Sequence, residues 1–331
     1  MRKIIVDVDT GTDDAIAVMA AVQAPQLELI ALCSTWGNTS VENTTINTLR
    51  AAYAAGGENV PVYPGASEPM VKHLSSMRSE PVTEPILAGV TEIDGVAVAL
   101  NPDLLPLPDS PRGPEPLEAA LFYVDYLRNS KEKITVVATG TMTNLGLALT
   151  MAPDIVSNIE EIVVMGGGIR KANITAAAEA NFFKDPEAAE IVMRCGAPLT
   201  ICSLDATHSC ALTEEHENKL RAIGTPAAIF TANDIHVRRE SYNRLQPLER
   251  AGTAPIHDAL CIAYLVNPSV IIHEENATCD VDCSEGISDG RLQSDSRHFR
   301  EPANARLVLQ ADPDKMCQIL SDIFEQGGSC T

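Results

Sequence analysis

"IIVDVDTGTDDAIAV", residues 4–18, sets four aspartates, Asp7, Asp9, Asp13 and Asp14, between two apolar runs. The first run, "KIIVDVD" (3–9), has the continuous apolar character of a strand buried on both faces, and "DDAIAVMAAVQ" (13–23) reads as a helix that Pro25 helps to close. Next comes "LELIALCSTWGN" (27–38), a second strand ending in a polar turn, and then a helix over about 41–55. This β-α-β-α order predicts a parallel sheet covered by helices.

The rhythm returns after a proline-rich stretch, 101–116, which reads as an irregular surface loop. The pattern predicts a helix over 117–129, a strand in "KITVVATG" (133–140), a helix near 144–151 and a strand in "IEEIVVMGGG" (159–168). "PLTICSLD" (198–205) reads as a further strand, with helices around 214–222 and 227–238, another beginning near His257, and a last one over 313–326. No linker rich in glycine, serine or charge divides the chain, and no internal repeat is visible. The expectation is one α/β domain over 1–331, with a mostly parallel central sheet, Rossmann-like, flanked by helices.

Composition narrows the function. Forty-five per cent hydrophobic residues in a chain of 331 suit a globular core. The 24 Lys and Arg stand against 45 Asp and Glu, and the net charge of -21 repels phosphate backbones and anionic bilayers. Nucleic acid and membrane surfaces are therefore not expected partners. The N-terminus passes from Met1, Arg2 and Lys3 straight into the first strand without the apolar core of a secretory signal, and no run reaches membrane-spanning length. The expectation is a soluble, cytoplasmic protein. Its nine cysteines, odd in number and scattered, read as reduced thiols.

In open parallel sheets, ligands bind outside the carboxyl ends of the strands. The positions there are the aspartate group, then Trp36 to Asn38, Thr139 to Thr141, Met165 to Gly168, and Asp205. Asp7 and Asp9 share a strand face by alternation, while Asp13 and Asp14 begin the helix. A hydrated loop with helix capping would account for each acid singly. Four together raise one another's pKa or require a cation. With only hard oxygens and no histidine or cysteine inside the motif, Ca2+ or Mg2+ is favoured over Zn2+, and a site gathered from several loops suits Ca2+. "DVDTGT" (7–12) also looks like the Asp-x-Asp start of haloacid-dehalogenase-like phosphatases, in which Asp7 would be a covalent nucleophile. The order Thr10, Gly11, Thr12 departs from that pattern, and its later Gly-Asp motif is missing.

With Asp13 and Asp14 included, "DVDTGTDDAIAV" resembles the N-terminal signature of the nucleoside hydrolases, the inosine-uridine-preferring family that cleaves N-ribosyl bonds. The resemblance continues through "TWGN" (35–38), "ATGTMTNLGLAL" (138–149), "IVVMGGG" (162–168), "NITAAAEANFFKDPEAA" (173–189), "LDATH" (204–208) and "HDALCIAY" (257–264), in the family's order and over nearly the whole chain. It implies a nucleoside hydrolase-like fold and Ca2+-dependent hydrolysis of purine and pyrimidine ribonucleosides to free base and ribose, serving salvage, by direct attack of metal-bound water with inversion. The implied calcium ligands are Asp9, Asp14 as a bidentate carboxylate, the backbone carbonyl of Thr139, and Asp258. Asp13, Asn173, Glu179 and Asn181 match positions that hold ribose, Asn38 is a further polar contact, and Met165 lines the sugar pocket.

The resemblance makes Asp9 the general base and His257 the acid for the leaving base, with Asp7 supporting them from behind. Glycines 166–168 are expected to let their loop approach the ligand. His208 and His236 lie near enough in sequence to approach the base pocket, but each reads as structural. Relatives often carry a His-Gly where this chain has Ala88-Gly89, and commonly an aromatic or aliphatic residue at Ala180 and proline at Thr10. The family resemblance further implies a homodimer or homotetramer. A ribonucleoside-binding protein that keeps the metal but lacks turnover is the non-enzymatic alternative.

Overall fold

A computed structural model describes residues 1–76, 78, 90–93, 96–245, 248–295, 297 and 302–327. Its first strand, β1 (Arg2–Val8), is followed by α1 (Thr12–Gln23), β2 (Leu27–Ser34), α2 (Val41–Ala54) and β3 (Val62–Pro64). Along β1, Ile4, Val6 and Val8 enter one core layer with residues of α1 and α2, while Ile5 enters the other. All four are fully buried, each contributing about 1.5–3 kcal/mol of hydrophobic stabilisation. Burial on both faces is the physical reason the strand reads as an unbroken apolar run.

A small antiparallel pair, β4 (Val90–Ile93) and β5 (Val96–Ala99), precedes α3 (Ala119–Asn129). Then come β6 (Ile134–Ala138), α4 (Thr143–Met151), β7 (Ile159–Met165), α5 (Ala180–Lys184), α6 (Pro186–Arg194) and β8 (Leu199–Cys202). The chain continues through α7 (Leu204–Ser209), α8 (Glu214–Ile223), α9 (Pro226–Leu245), α10 (Ala259–Val266), β9 (Ile271–Val281), β10 (Leu292–Asp295), β11 (Ala305–Ala311) and α11 (Pro313–Gly327).

The central sheet has nine strands in the order β10-β9-β11-β8-β7-β6-β1-β2-β3. Seven, from β11 to β3, run parallel, and β9 and β10 add an antiparallel edge. The mostly parallel α/β architecture is as expected, but that edge was not foreseen. From β1 the chain first builds outward to β2 and β3, then returns to the other side of β1 with β6, β7 and β8. The order thus reverses between β1 and β6, and the crevice at their carboxyl ends is the topological switch point.

Other differences have local causes. "PLTICSLD" does not stay extended to Asp205; the strand stops at Cys202, and Ser203 caps α7 by accepting from the Ala206 N–H. Helices α5 and α6, not separately anticipated, meet at Asp185, which caps α6 ahead of Pro186. Residues 101–116 form no helix or strand, as expected. Ala88 lies outside the described residues. No described helix is long and apolar enough to cross a membrane. The eight described cysteines are free, and Cys330 lies outside the described residues.

Candidate active site

Asp9 is the first residue past β1. Its Oδ2 accepts from the Asn38 backbone N–H at 2.7 Å, and the Asn38 amide donates to the Asp9 carbonyl at 3.1 Å and to Asp14 Oδ2 at 3.0 Å. Two neighbouring glycines make room for this. A Cβ on Gly37 would stand 2.0 Å from Asp9 Oδ2, and one on Gly140 2.9 Å from Oδ1. Gly11 serves the same end. Its φ of -92° is ordinary, but a Cβ there would stand 2.7 Å from Asn101 Oδ1 and 2.8 Å from Asn38 Nδ2.

Asp13 and Asp14 lie in the first turn of α1, where Asp14 also accepts from the Gly11 N–H at 3.1 Å and the Thr139 hydroxyl at 3.0 Å. Asp258, at the N-terminus of α10, comes to meet them. Asp13, Asp14 and Asp258 each offer an oxygen within 4.8 Å of the others'. Asp9 stands beside this trio rather than within it. Burial, and then the charge of Asp14, push the Asp9 carboxyl well above the usual carboxylate range; burial and all three other aspartates do the same to Asp258. Burial and Asp13 raise Asp14 to about 6. Burial also works against ionised Asp13, but Arg238 above all outweighs it and holds that carboxyl below its ordinary value.

Carboxylates crowded this closely are favoured in their ionised forms by a nearby cation. The donors present are hard oxygens, which fit a divalent cation of the Ca2+ or Mg2+ type. The Thr139 carbonyl accepts from the Asn181 amide at 2.6 Å and keeps a second lone pair for a cation.

The facing wall carries Met165, Asn173, Glu179 and Asn181, all lining the same cleft as Asp9, Asp13, Asp14, Asn38, Thr139, His257 and Asp258. Glu179 caps α5, accepting from Asn181 and Phe182 and also from the Gly167 N–H at 2.9 Å. Burial raises its pKa against these bonds. Asn173 Oδ1 accepts from the Ala180 N–H at 2.9 Å. The glycines at 166–168 follow the cleft residue Met165 and are closely packed. A Cβ on Gly166 would stand 2.5 Å from the Phe182 ring, and one on Gly167, whose φ is +63°, 2.7 Å from Leu292. They allow the loop to press on its own neighbours.

Asp7 does not share the mouth with Asp9, because β1 ends at Val8 and Asp9 leaves the strand's alternation. Its carboxylate turns to the Tyr123 hydroxyl at 3.2 Å and the Asn144 amide at 3.0 Å, and burial pushes its pKa up to about 7. Asn144 also donates to the Ser34 carbonyl and accepts from the Ala66 N–H, so Asp7 helps to hold the end of β2 and the turn after β3. Being outside the cleft, it is not placed to be a phosphatase nucleophile.

His257 is held at both ring nitrogens, Nδ1 by the Thr207 hydroxyl at 2.8 Å and Nε2 by the Tyr242 hydroxyl at 3.2 Å. Burial lowers its pKa to about 3 even though Asp13 opposes the fall. The ring is therefore a neutral hydrogen-bonding group at pH 7. His208 lies behind it, ring centroids 5.7 Å apart, and outside the cleft; burial lowers its pKa to about 4. His236 pairs with Glu217 at 3.5 Å, away from the site. Asp205 accepts from the Ile169 and Arg170 N–H groups and is likewise outside the cleft.

Four cleft residues were not anticipated: Asn101, Lys184, Arg238 and Tyr242. Arg238 donates to Asp13 at 2.6 Å, to Thr12 at 2.8 Å and to Asp234 at 2.8 Å. Lys184 Nζ stands 3.6 Å from Asp9 Oδ2. The one sequence signal for any of them is the i,i+4 spacing of Asp234, Arg238 and Tyr242 on α9.

Comparison with known proteins identifies the family. The family model for inosine-uridine preferring nucleoside hydrolase matches residues 4–318. A curated relative from Escherichia coli strain K12, a "pyrimidine-specific ribonucleoside hydrolase", is 35% identical over 316 residues, which are 95% of this chain and 94% of that protein. Among solved structures, a purine-preferring ribonucleoside hydrolase from Gardnerella vaginalis superposes with a TM-score of 0.81 at 30% identity, covering 98% of this chain and 99% of the other. An inosine-guanosine nucleoside hydrolase gives 0.78 at 25% identity, with the same coverage. The chain belongs to the inosine-uridine-preferring nucleoside hydrolase family, and it is a ribonucleoside hydrolase, a glycosidase acting on N-glycosyl compounds.

Proposed function

We propose that this enzyme uses Ca2+ to hydrolyse purine and pyrimidine ribonucleosides to free base and ribose, by direct attack of water with inversion. The observation that carries the reading is the buried trio of Asp13, Asp14 and Asp258 beside Asp9, facing the polar wall of Asn173, Glu179 and Asn181. Asp9, Asp14, Asp258 and the Thr139 carbonyl would hold the cation. When bound, Ca2+ supplies positive charge beside the sugar hydroxyls and the attacking water.

The chain's own groups do the rest. Asp13, fixed by Arg238, accepts from a ribose hydroxyl, while Asn38, Asn173, Glu179 and Asn181 orient the remaining sugar oxygens and Met165 supplies an apolar contact. Asp9 takes the proton of the attacking water on a carboxylate oxygen. Attack opposite the leaving base, with no covalent sugar intermediate, inverts the anomeric carbon. His257, which lines the cleft with Thr207 and Tyr242 on its two ring nitrogens, is the group we assign to the departing base, and the base gains a proton on release in exchange for the one Asp9 takes from the water.

Acceptance of both base classes is supported by relatives named for pyrimidine and for purine substrates at similar identity. The rest of the reading is a single domain over 1–331, a homodimer or homotetramer, a cytoplasmic location, and a role in nucleoside catabolism and base salvage. Free cysteines among the described residues and the nine-stranded central sheet support the location and the domain count.

A panel of inosine, guanosine, adenosine, uridine and cytidine, assayed for released reducing sugar with Ca2+ and with chelator, tests the reading. Turnover that requires Ca2+ and falls about 10²–10⁴-fold in Asp9→Ala is expected. Undiminished Asp9→Ala activity would overturn the assigned base. Binding without any product would make this chain a nucleoside-binding protein instead.

A further inference from the structure

Lys184 is the last residue of α5, and its side chain is only 9% exposed. The backbone on both sides is pinned. The Phe183 carbonyl accepts from Lys72 Nζ, while the Asp185 carboxylate accepts from the Thr143 hydroxyl at 2.7 Å and the Met70 N–H at 3.0 Å. The ammonium is thereby delivered into the carboxylate cleft, 3.6 Å from Asp9 Oδ2. Its charge reaches further, favouring the ionised forms of Asp9, Asp14 and Glu179 together.

Arg238, the other cation of the cleft, differs in kind. Three side chains, Asp13, Thr12 and Asp234, grip its guanidinium. Among the described residues, no hydrogen bond shorter than the 3.6 Å contact to Asp9 holds Lys184 Nζ. A compact ammonium on a flexible four-carbon stem can swing away at little cost, whereas a gripped planar guanidinium cannot. Arg238 is held by three hydrogen bonds, whereas Lys184 meets Asp9 at 3.6 Å.

We propose that Lys184 is the resident counter-cation of Asp9, neutralising it until a divalent cation enters and giving way when one does. Metal loading is then an exchange of one cation for another rather than the filling of a bare acidic site. This rests on the reading that Asp9, Asp14 and Asp258 hold a divalent cation. Two opposite effects follow from the same charge. The ammonium repels an incoming cation and so weakens its binding, and it relieves the crowding of acids and so steadies the metal-free protein.

The test is calorimetric titration of Ca2+ into the chelator-stripped full chain, with thermal melting alongside. Lys184→Met, similar in length and uncharged, is expected to bind Ca2+ at least about tenfold more tightly than the wild type, and to melt lower when metal-free. Lys184→Arg, which keeps the charge, should stay within about threefold of the wild type. Lys184→Gln gives the same readout if the methionine variant does not fold. Affinity in Lys184→Met or Lys184→Gln that is unchanged or weaker than wild type would overturn the proposal, as would an arginine variant that behaves like the uncharged ones. Asp14→Asn and Asp258→Asn probe the underlying reading separately. If both bind Ca2+ like the wild type, the metal site itself is misplaced, whatever Lys184 does.

Discussion

Two clusters of charge are held inside this molecule, and they are built on opposite arithmetic. In the first, Lys72 and Arg78 meet Asp289 and Glu187, two cations with two anions, at 3.1 Å for Lys72–Asp289, 3.4 Å for Arg78–Asp289 and 2.5 Å for Arg78–Glu187. In the second, Asp9, Asp13, Asp14 and Asp258 meet, among the described residues, the cations Arg238 and Lys184. The balanced cluster matches its cations to its anions within the fold and ties Lys72 and Arg78 to Asp289 and to Glu187 on α6. An unbalanced one leaves acids that resist ionisation, and such a site waits for a charge from outside. The two touch through adjacent residues, since Lys72 holds the Phe183 carbonyl and Lys184 enters the cleft.

The comparison breaks most visibly if the balanced cluster proves dispensable. Arg78→Met should leave Glu187 and Asp289 with one cation and cost about 3 kcal/mol in urea unfolding, with Ca2+ affinity unaltered. A cost under about 1 kcal/mol would show that the cluster ties nothing together. Next in size, Ca2+ at about 100 times its Kd should stabilise the wild type by about 2.7 kcal/mol, read as a rise in Tm that chelator reverses. Asp258→Asn should abolish that rise. A rise that survives the substitution would place the cation elsewhere.

A smaller effect separates the two kinds of buried acid by pH. Asp14 is raised from 3.8 to about 6 in the fold, so the folded protein holds that proton more tightly than the unfolded chain does. Its contribution to stability is present in full below about pH 4 and is lost as pH rises through about 6. Added Ca2+ should remove this loss. Asp7, raised to about 7 by burial but outside the cleft, should keep its own loss with or without Ca2+. Comparing wild type with Asp14→Asn by melting between about pH 4 and pH 7, metal-free and Ca2+-loaded, isolates the difference. An Asp14-dependent slope unchanged by Ca2+ would mean that this carboxylate is not a ligand. Smallest of all, Tyr242→Phe removes one hydrogen bond to His257 and should lower kcat/KM by about 0.5–1.5 kcal/mol, unequally among bases. An equal loss with every base would assign Tyr242 to the sugar rather than the leaving group.

Legibility in the sequence followed physical signal strength. Strands such as β1 and β6, buried on both faces, announce themselves as unbroken apolar runs. β9, "IIHEENATCDV", does not; its middle is exposed and charged, and only pairing with β10 and β11 makes it a strand. In the site, Asp9, Asp14 and Thr139 were readable because each follows a strand or opens a helix at the sheet's carboxyl edge. Asp258 and the ribose-wall positions were reached only through family resemblance. Lys184 and Arg238 were missed because a long cation inside a helix looks like solvent-facing charge until its surroundings are known. The opening stretch changes meaning most at Asp7, which alternation paired with Asp9 and the fold turned toward Tyr123 and Asn144.

The sequence by itself determined the layered α/β fold, the acidic mouth at the end of β1 and the family. These depend on local periodicity and on short motifs, which neighbouring residues carry intact. Only the tertiary structure decided which acids share a cleft, which cations answer them and which histidine stays neutral. Those properties depend on burial and on charges brought within a few ångströms from positions as far apart as Asp13 and Arg238, and no local pattern records such distances.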